Sequence, residues 1–268
     1  MDISRYRVSE GAEVDLSDWE TNENGGYDKD EAKAETEVLN LELEALQELL
    51  YAEGKHKVLL VLQATDTGGK DGTIRRVLDR LNPAGVQVAS FKKPTSVELA
   101  HDYLWRVHQH APKNGHMVVF NRSHYEDVLI VRVHGFAPEK VWQKRYRHIR
   151  EWERMLADEG TTIIKIFLHI SRAEQKERLQ SRLDTPEKNW KFEKGDLTER
   201  ERWSDYQEAF RVMLEETSTD HAPWYVIPAD RKWFRDRLIS EILVDTLNDL
   251  GMSFPDPEEG ILDLEIPD

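Results

Sequence analysis

Residues 58–74 read VLLVLQATDTGGKDGTI. The stretch 58–64 is apolar apart from Gln63 and shows no in–out alternation, the pattern of a strand buried on both faces of a parallel sheet. It runs into Gly68-Gly69-Lys70 and then into a helical pattern. Two adjacent glycines let the backbone turn sharply and aim several N–H groups at one anion, and Lys70 adds a point charge. The helix that follows directs its positive dipole end at the same place. Strand, glycine turn and helix together predict a phosphate-binding loop in a doubly wound α/β sheet; the plainer reading is a tight strand-to-helix turn with an exposed lysine. The spacing departs from G-x-x-x-x-G-K-[ST]. Ala64 stands where the first glycine would be, Asp71 where the hydroxyl residue would be, and an acid, Asp66, lies inside the loop.

Working outward, further strands are predicted at 86–91, 116–120, 161–170 and 223–229. Helical patterns occupy 72–81, 95–110, 138–158, 172–183, 199–217 and 231–250. Upstream, Val38, Leu39, Leu43, Leu46, Leu49 and Leu50 recur at near-helical spacing, and Gly54 ends that helix. The opening stretch through NENGGY (22–27) reads as an irregular surface arm. Strands alternating with helices imply βαβ units with right-handed crossovers. The expectation is one domain over 1–268, a P-loop kinase-like parallel sheet of five strands with helices on both faces. Residues 1–53 would form the arm and an acidic helix, 171–202 a helical lid, and 253–268 an acidic tail.

Composition narrows the function classes. Apolar residues make up 39% and charged residues 33%, as in a water-soluble globular protein. No segment approaches the ~18 to 20 apolar residues of a membrane span, and MDISRYRVSEGAEVD has no export pattern. With no cysteine, disulfides, thiolate metal sites and cysteine nucleophiles are excluded. A cytoplasmic protein without membrane partners is expected. The net charge of -15 is unevenly spread. Residues 9–48 carry -12, the tail from 253 carries -6 and residues 1–8 carry +1, which leaves the body from 49 to 252 at +2. Within the body VWQKRYRHIR (141–150) has four cations and no acid. A focused basic channel attracts a phosphate chain even on an acidic protein; the plainer reading of such a run is a solvated helix face. No nucleic-acid recognition motif is present.

Ligands of such sheets bind beyond the C-terminal ends of the strands, which singles out two more segments. FNRSHYEDVLIVRVHGF (120–136) brings Arg122, Glu126 and Asp127 together where P-loop enzymes hold a magnesium-organising carboxylate. Asp66 with Asp127 would make a suitable magnesium pair; alternatively Glu126–Asp127 is a surface pair opening a helix. SRAEQKERLQSRLDTPEKNWKFEKGD (171–196) places Arg172, Lys176, Arg178 and Arg182 on helical spacing, as in a phosphate-neutralising lid or an exposed helix of i,i+4 ion pairs. SFKKPT (90–95) could bring Lys92 or Lys93 to the phosphates. His101, His108 and His110 have no zinc-like spacing, and Trp105, Trp142, Trp152 and Trp203 read as core or interface residues.

QATDTGGKDGTI, FKKPT, HDYLWR, FNRSHYEDV, HGF and the basic lid, spread over residues 35–250, resemble the second family of polyphosphate kinases. Ala64 departs from a common glycine of that family. HYED (124–127) stands where many members have W-Y-N-R, and resembles the subgroup accepting both AMP and ADP. The resemblance implies reversible transfer of the terminal phosphoryl group of inorganic polyphosphate to adenine nucleotides, with guanine as a further candidate base. It implies Mg2+, with Mn2+ as substitute, on Asp66 and Asp127. Lys70 and Arg122 would hold the phosphates in line, and Arg178 and Arg182 would close from the lid. Thr67, Gly68, Gly69, Asp71, Gly72, Thr73, Lys93 and Glu126 would complete the phosphate and nucleotide site. Residues 144–150 and Lys113 are the expected polyphosphate path, and a homo-oligomer, dimer or tetramer, is expected by analogy. Two rivals are an ATP-using nucleoside monophosphate kinase and a non-catalytic nucleotide-binding P-loop module.

Overall fold

A computed structural model describes residues 1–266, so the last two positions of the expected acidic tail lie outside the described residues. In chain order the strands are β1 (Arg7–Val8), β2 (Lys57–Ala64), β3 (Val86–Ser90), β4 (Met117–Asn121), β5 (Thr161–His169) and β6 (Trp224–Pro228). The helices are α1 (Lys29–Glu53), α2 (Lys70–Val77), α3 (Ser96–Leu99), α4 (Trp105–His108), α5 (Ile130–Val133), α6 (Glu139–Asp158), α7 (Arg172–Asp184), α8 (Gly195–Glu201), α9 (Trp203–Thr217) and α10 (Lys232–Asn248). The sheet order is β1-β6-β5-β2-β4-β3. All five expected strands pair in parallel, with β2 between β4 and β5.

The sheet has a sixth strand that the sequence reading missed. The arm pairs antiparallel with β6, Arg7 opposite Tyr225 and Val8 opposite Trp224. Its anchors are Tyr6 and Val8, both buried, and the Ser218 hydroxyl, which donates to the Val8 carbonyl at 2.6 Å. A two-residue strand is too short to show periodicity.

Two expected helices are broken. Over 95–110, the Asp102 carboxylate accepts the Leu104 and Trp105 N–H groups at 3.0 and 3.1 Å, which starts α4 separately from α3. Over 199–217, Arg202 at ψ 20 separates α8 from α9, and its guanidinium is tied to the Val133 carbonyl at 3.1 Å.

Alternate residues of β2 feed two cores, as the period of a strand requires. Leu59 and Val61 pack with Phe120, Trp152, Phe210 and Trp224 on one face. Val58, Leu60 and Leu62 pack with Leu43, Leu50, Ile239 and Leu243 on the other. Each such fully buried side chain contributes about 1.5–3 kcal/mol, so β2 is fixed in register and its C-terminal end is rigid. Successive connections leave β2 toward β3 on one side and return to β5 on the other. The loop after β2 therefore sits at the switch point where doubly wound sheets bind ligands.

Candidate active site

The loop 65–69 crosses from β2 to α2 in a conformation its sequence has to permit. Gly69 has φ 109 and lies so close to the Arg235 guanidinium that a Cβ there would collide with it. A Cβ on Gly68 would strike Ala64 and the Thr65 carbonyl oxygen. No side chain caps α2, and its first backbone bond runs from Thr73 N–H to Gly69 O at 2.9 Å. Among the described residues, the N–H groups of Lys70, Asp71 and Gly72 therefore stay open at the positive end of the helix. The Lys70 ammonium donates to the Ala64 carbonyl at 3.1 Å. Burial, with Arg122 acting in the same sense, pulls it down to about 8.

Opposite the loop, β4 delivers Arg122. Among the described residues, Thr67 at φ 63 and Arg122 at φ 62 are the two non-glycine residues with positive φ. Strain of this kind costs on the order of 1–3 kcal/mol each, and here it falls on the two walls of one cleft. The Arg122 guanidinium bonds Asp66 at 2.9 Å and stands 3.8 Å from Glu126. Asn121 donates to Asp71 at 2.7 Å, a second tie between the walls.

The cleft has a volume of about 2020 Å³. Every phosphate or nucleotide residue expected from the sequence lines it except Thr73, which is buried in α2. Asp127 also stays outside. It lies in the 3-10 turn His124–Asp127, where successive side chains project about 120° apart. Glu126 consequently faces the cleft, while Asp127 turns to Arg145, 2.8 Å away, and burial raises its carboxyl to about 6. The structure thus does not bring Asp127 to Asp66 as expected; the two acids it gathers in the cleft are Asp66 and Glu126, which bracket Arg122. Two carboxylates beside a phosphate site are a donor set that suits Mg2+, which takes its remaining ligands from phosphate and water. Among the described residues no cluster of three or more His, Asp or Glu side chains forms a closed metal cage.

Two further expectations change. Arg178 does not project freely from a lid. Its side chain is 9% exposed, and it bonds the Thr67 and Gly68 carbonyls at 3.0 and 2.9 Å, the Ala229 carbonyl and Glu174. It clamps the loop from α7. Arg182 lines the cleft but is tied to the Lys191 carbonyl at 3.0 Å and stands 3.5 Å from Asp196, which braces the segment 171–202 along one side. The run 144–150 and Lys113 do not line the cleft. Lys113 precedes β4, next to the chain that enters β2, at the opposite end of the sheet. Arg145, Arg147 and Arg150 are paired with Asp127, Glu151 and Glu216.

In their place the fold gathers a second set of cations. Arg76 ends α2, Lys232 and Arg235 open α10, and Lys188 comes from the 171–202 segment; all four line the cleft. Burial pulls the Arg235 guanidinium below its ordinary range, and Arg178 and Arg76 push the same way. Lys232, exposed as a residue but partly desolvated at its ammonium, is lowered likewise, by that desolvation and then by Arg178, with Arg235 and Lys188 adding to it. A cluster of cations that disfavour one another's charge in this way attracts an anion. In sequence these residues are scattered and gave no signal.

The family description Polyphosphate kinase 2 (PPK2) matches residues 26–254. The chain belongs to the polyphosphate kinase 2 family. It is 60% identical over 258 residues to the AMP/ADP-polyphosphate phosphotransferase of Meiothermus ruber, covering 96% of this chain and 97% of that one. It is 46% identical over 265 residues to the ADP-polyphosphate phosphotransferase of Rhodopseudomonas palustris, covering 94% and 92%. The crystal structure of polyphosphate kinase 2 from Arthrobacter aurescens TC1 superposes with a TM-score of 0.92 at 42% identity, over 96% of this chain and 93% of that chain. The α/β architecture expected from residues 58–74 is therefore that of polyphosphate kinase 2 structures. Among the described residues no helix is long and apolar enough to cross a membrane.

Proposed function

We propose that this chain transfers the terminal phosphoryl group of inorganic polyphosphate to AMP and ADP, reversibly and with Mg2+. The observation that carries the reading is the division of one cleft into two flanks. Asp66, Glu126 and Arg122 make a mixed-charge flank on one side of the loop, and Arg76, Lys188, Lys232 and Arg235 make a cationic flank on the other. The full-length relatives named as polyphosphate phosphotransferases support the same substrate pair.

The metal-holding carboxylates favour the short phosphate chain of the nucleotide on their flank. The cations along α2 and α10 favour the longer, more highly charged polyphosphate on theirs. The open N–H groups of α2 and Lys70 hold the phosphates that meet between the flanks. Arg122, fixed by Asp66, keeps the acceptor phosphate in line with the donor's terminal phosphorus. The acceptor oxygen attacks that phosphorus, the terminal P–O–P bond breaks, and the shortened polyphosphate leaves with the bridging oxygen. Phosphate oxygens are already nucleophilic, so no histidine base is required. Asp66 and Glu126 would hold Mg2+, and the chemistry it supplies when bound is neutralisation of the charge on the transferring group. Mn2+, also an oxygen-binding divalent ion, would substitute.

A phosphoryl-transfer assay comparing long-chain polyphosphate with ATP as donor tests the reading, with AMP, ADP, GMP and GDP as acceptors. ATP formed from AMP and polyphosphate is the expected result. Product from ADP alone would narrow the acceptor, and transfer to AMP from ATP but not from polyphosphate would make the protein a nucleoside monophosphate kinase. Nucleotide binding without transfer from either donor would leave a P-loop binding module.

A further inference from the structure

Gln63 is fully buried on β2, immediately before the loop, and has no part in the chemistry described above. Ser123 Oγ already accepts the Tyr125 N–H at 3.2 Å, so its proton is free to be donated. With its amide nitrogen toward Ser123, Gln63 would donate to that hydroxyl at 3.1 Å but set its oxygen against acceptors only. With the amide turned over, its oxygen accepts the hydroxyl at 3.1 Å and the Ser123 N–H at 3.3 Å. Its amide nitrogen then donates to Glu126 Oε1 at 3.1 Å, so both ends of the amide are satisfied. One uncharged side chain thus spans from the strand that carries the phosphate loop to the carboxylate on the opposite wall.

The turn that bears Glu126 is pinned from below as well. Tyr125 OH donates to Glu153 at 2.7 Å, and the Lys165 ammonium bonds Glu153, the Thr217 carbonyl and Tyr125 OH at 2.7, 2.7 and 2.9 Å. His124 lies 3.3 Å from the same Glu153, and all four side chains are fully buried. A buried ion pair of this sort returns little net stability, because desolvation offsets its attraction. What it supplies here is a fixed orientation of His124 and Tyr125, and hence of Glu126 between Gln63 and Arg122.

We propose that Gln63 is a positioning residue for Glu126, setting its rotamer and through it the Arg122 guanidinium at the reacting phosphates. The inference rests on the polyphosphate-dependent reading of this site. A side chain that merely filled space would act independently of Glu126; a positioning residue would not. The test is a double-mutant cycle of Gln63→Met and Glu126→Gln, read as kcat and KM for ADP with polyphosphate, alongside thermal unfolding and a crystal structure of the Gln63→Met variant.

Gln63→Met is expected to lower kcat about tenfold with KM for ADP moving less than twofold. It should add less than twofold on the Glu126→Gln background, with Glu126 turned to a new rotamer in the crystal. Gln63→Glu, which sets like charge against Glu126, should lose more. If Gln63→Met fails to fold, Ser123→Ala, which removes the hydroxyl that orients the amide, should give a smaller kcat loss with the same non-additivity. Full additivity, a loss that follows the fall in Tm, or an unmoved Glu126 would overturn the proposal. Absence of any polyphosphate-driven transfer by the wild-type protein would instead refute the proposed function, and the Glu126 rotamer in the variant crystal would still judge Gln63.

Discussion

Two groups of cations in this protein make opposite use of their charge. The run 141–150 on α6 is the densest basic stretch of the chain, four cations without an acid. In the fold its arginines are paired with Asp127, Glu151 and Glu216, and the opposite face of the helix buries Tyr146, Ile149, Trp152 and Leu156. It is a core helix with a solvated face on which three of the four cations are paired. Arg76, Lys188 and Lys232 come from three separate segments, and among the described residues none of them has an ion-pair partner. Arg235 shares one acid, its neighbour Asp236. Local potential follows the pairing of charges in space, and sequence density alone misplaces it.

If the charges of the cleft carry the chemistry and those of α6 do not, substitutions in the two places should differ by orders of magnitude. The largest effect is expected at Asp66, which faces the cleft and fixes Arg122. Asp66→Asn should lower kcat by at least roughly 10²-fold, the scale of several kcal/mol of lost charge stabilisation. A variant turning over at near the wild-type rate in steady-state kinetics would remove Asp66 from the mechanism.

How much of this was legible in the sequence follows from how local each feature is. The strand, loop and helix at 58–74 depend on a contiguous pattern, and they stand where the pattern put them. Asp66, Lys70, Arg122 and Lys93 line the cleft because each lies in the segment that leaves the end of a readable strand. The choice between Glu126 and Asp127 was not readable. It turns on a single residue's rotation in a 3-10 turn, and that turn is oriented by Gln63, Glu153 and Lys165 from three other elements. Lys165 sits inside the apolar run IIKIFL, where its partner on α6 leaves no trace. Arg235 reaches Gly69 only because α10 docks against the loop from far down the chain. The arm's strand was invisible for want of length.

The next effect separates the cationic flank from the rest of the cleft. Arg76 and Lys232 are exposed at its mouth, so replacing both with Gln leaves no buried acid unpaired. The double variant should raise KM for long-chain polyphosphate about tenfold or more, since a charged hydrogen bond contributes about 1.5–3 kcal/mol. KM for ADP should move less than twofold. An equal rise in both constants would mean that the two flanks do not divide the substrates.

A smaller effect is expected from pH, through Lys70. Burial holds its ammonium near 8, and a bound phosphate favours the charged form and raises it. Below pH 8 the lysine is charged before the ligand arrives and affinity is at its full value. As pH rises past 8, binding must be accompanied by proton uptake, and affinity falls by up to tenfold per pH unit until the bound-state value is reached. Calorimetric titration of ADP between pH 7 and 9.5 should show this bend, and Lys70→Arg, which stays charged throughout, should flatten it. A bend that survives in Lys70→Arg would belong to another group.

The smallest effect is the one that most directly tests the pairing argument. Arg147 and Arg150 lie in the densest basic run, yet each already meets an acid, Glu151 or Glu216, at the surface. Exposed pairs of this kind contribute about 0–1 kcal/mol, so Arg147→Gln with Arg150→Gln should shift Tm by no more than a few degrees. KM for polyphosphate should stay within twofold of wild type, because neither side chain lines the cleft. If this pair instead raised KM for long chains but not for short ones, the polyphosphate would extend over α6 after all. The neutralising acids would then have to yield their arginines to phosphate, and the contrast between the two regions would be one of sequence along a single path.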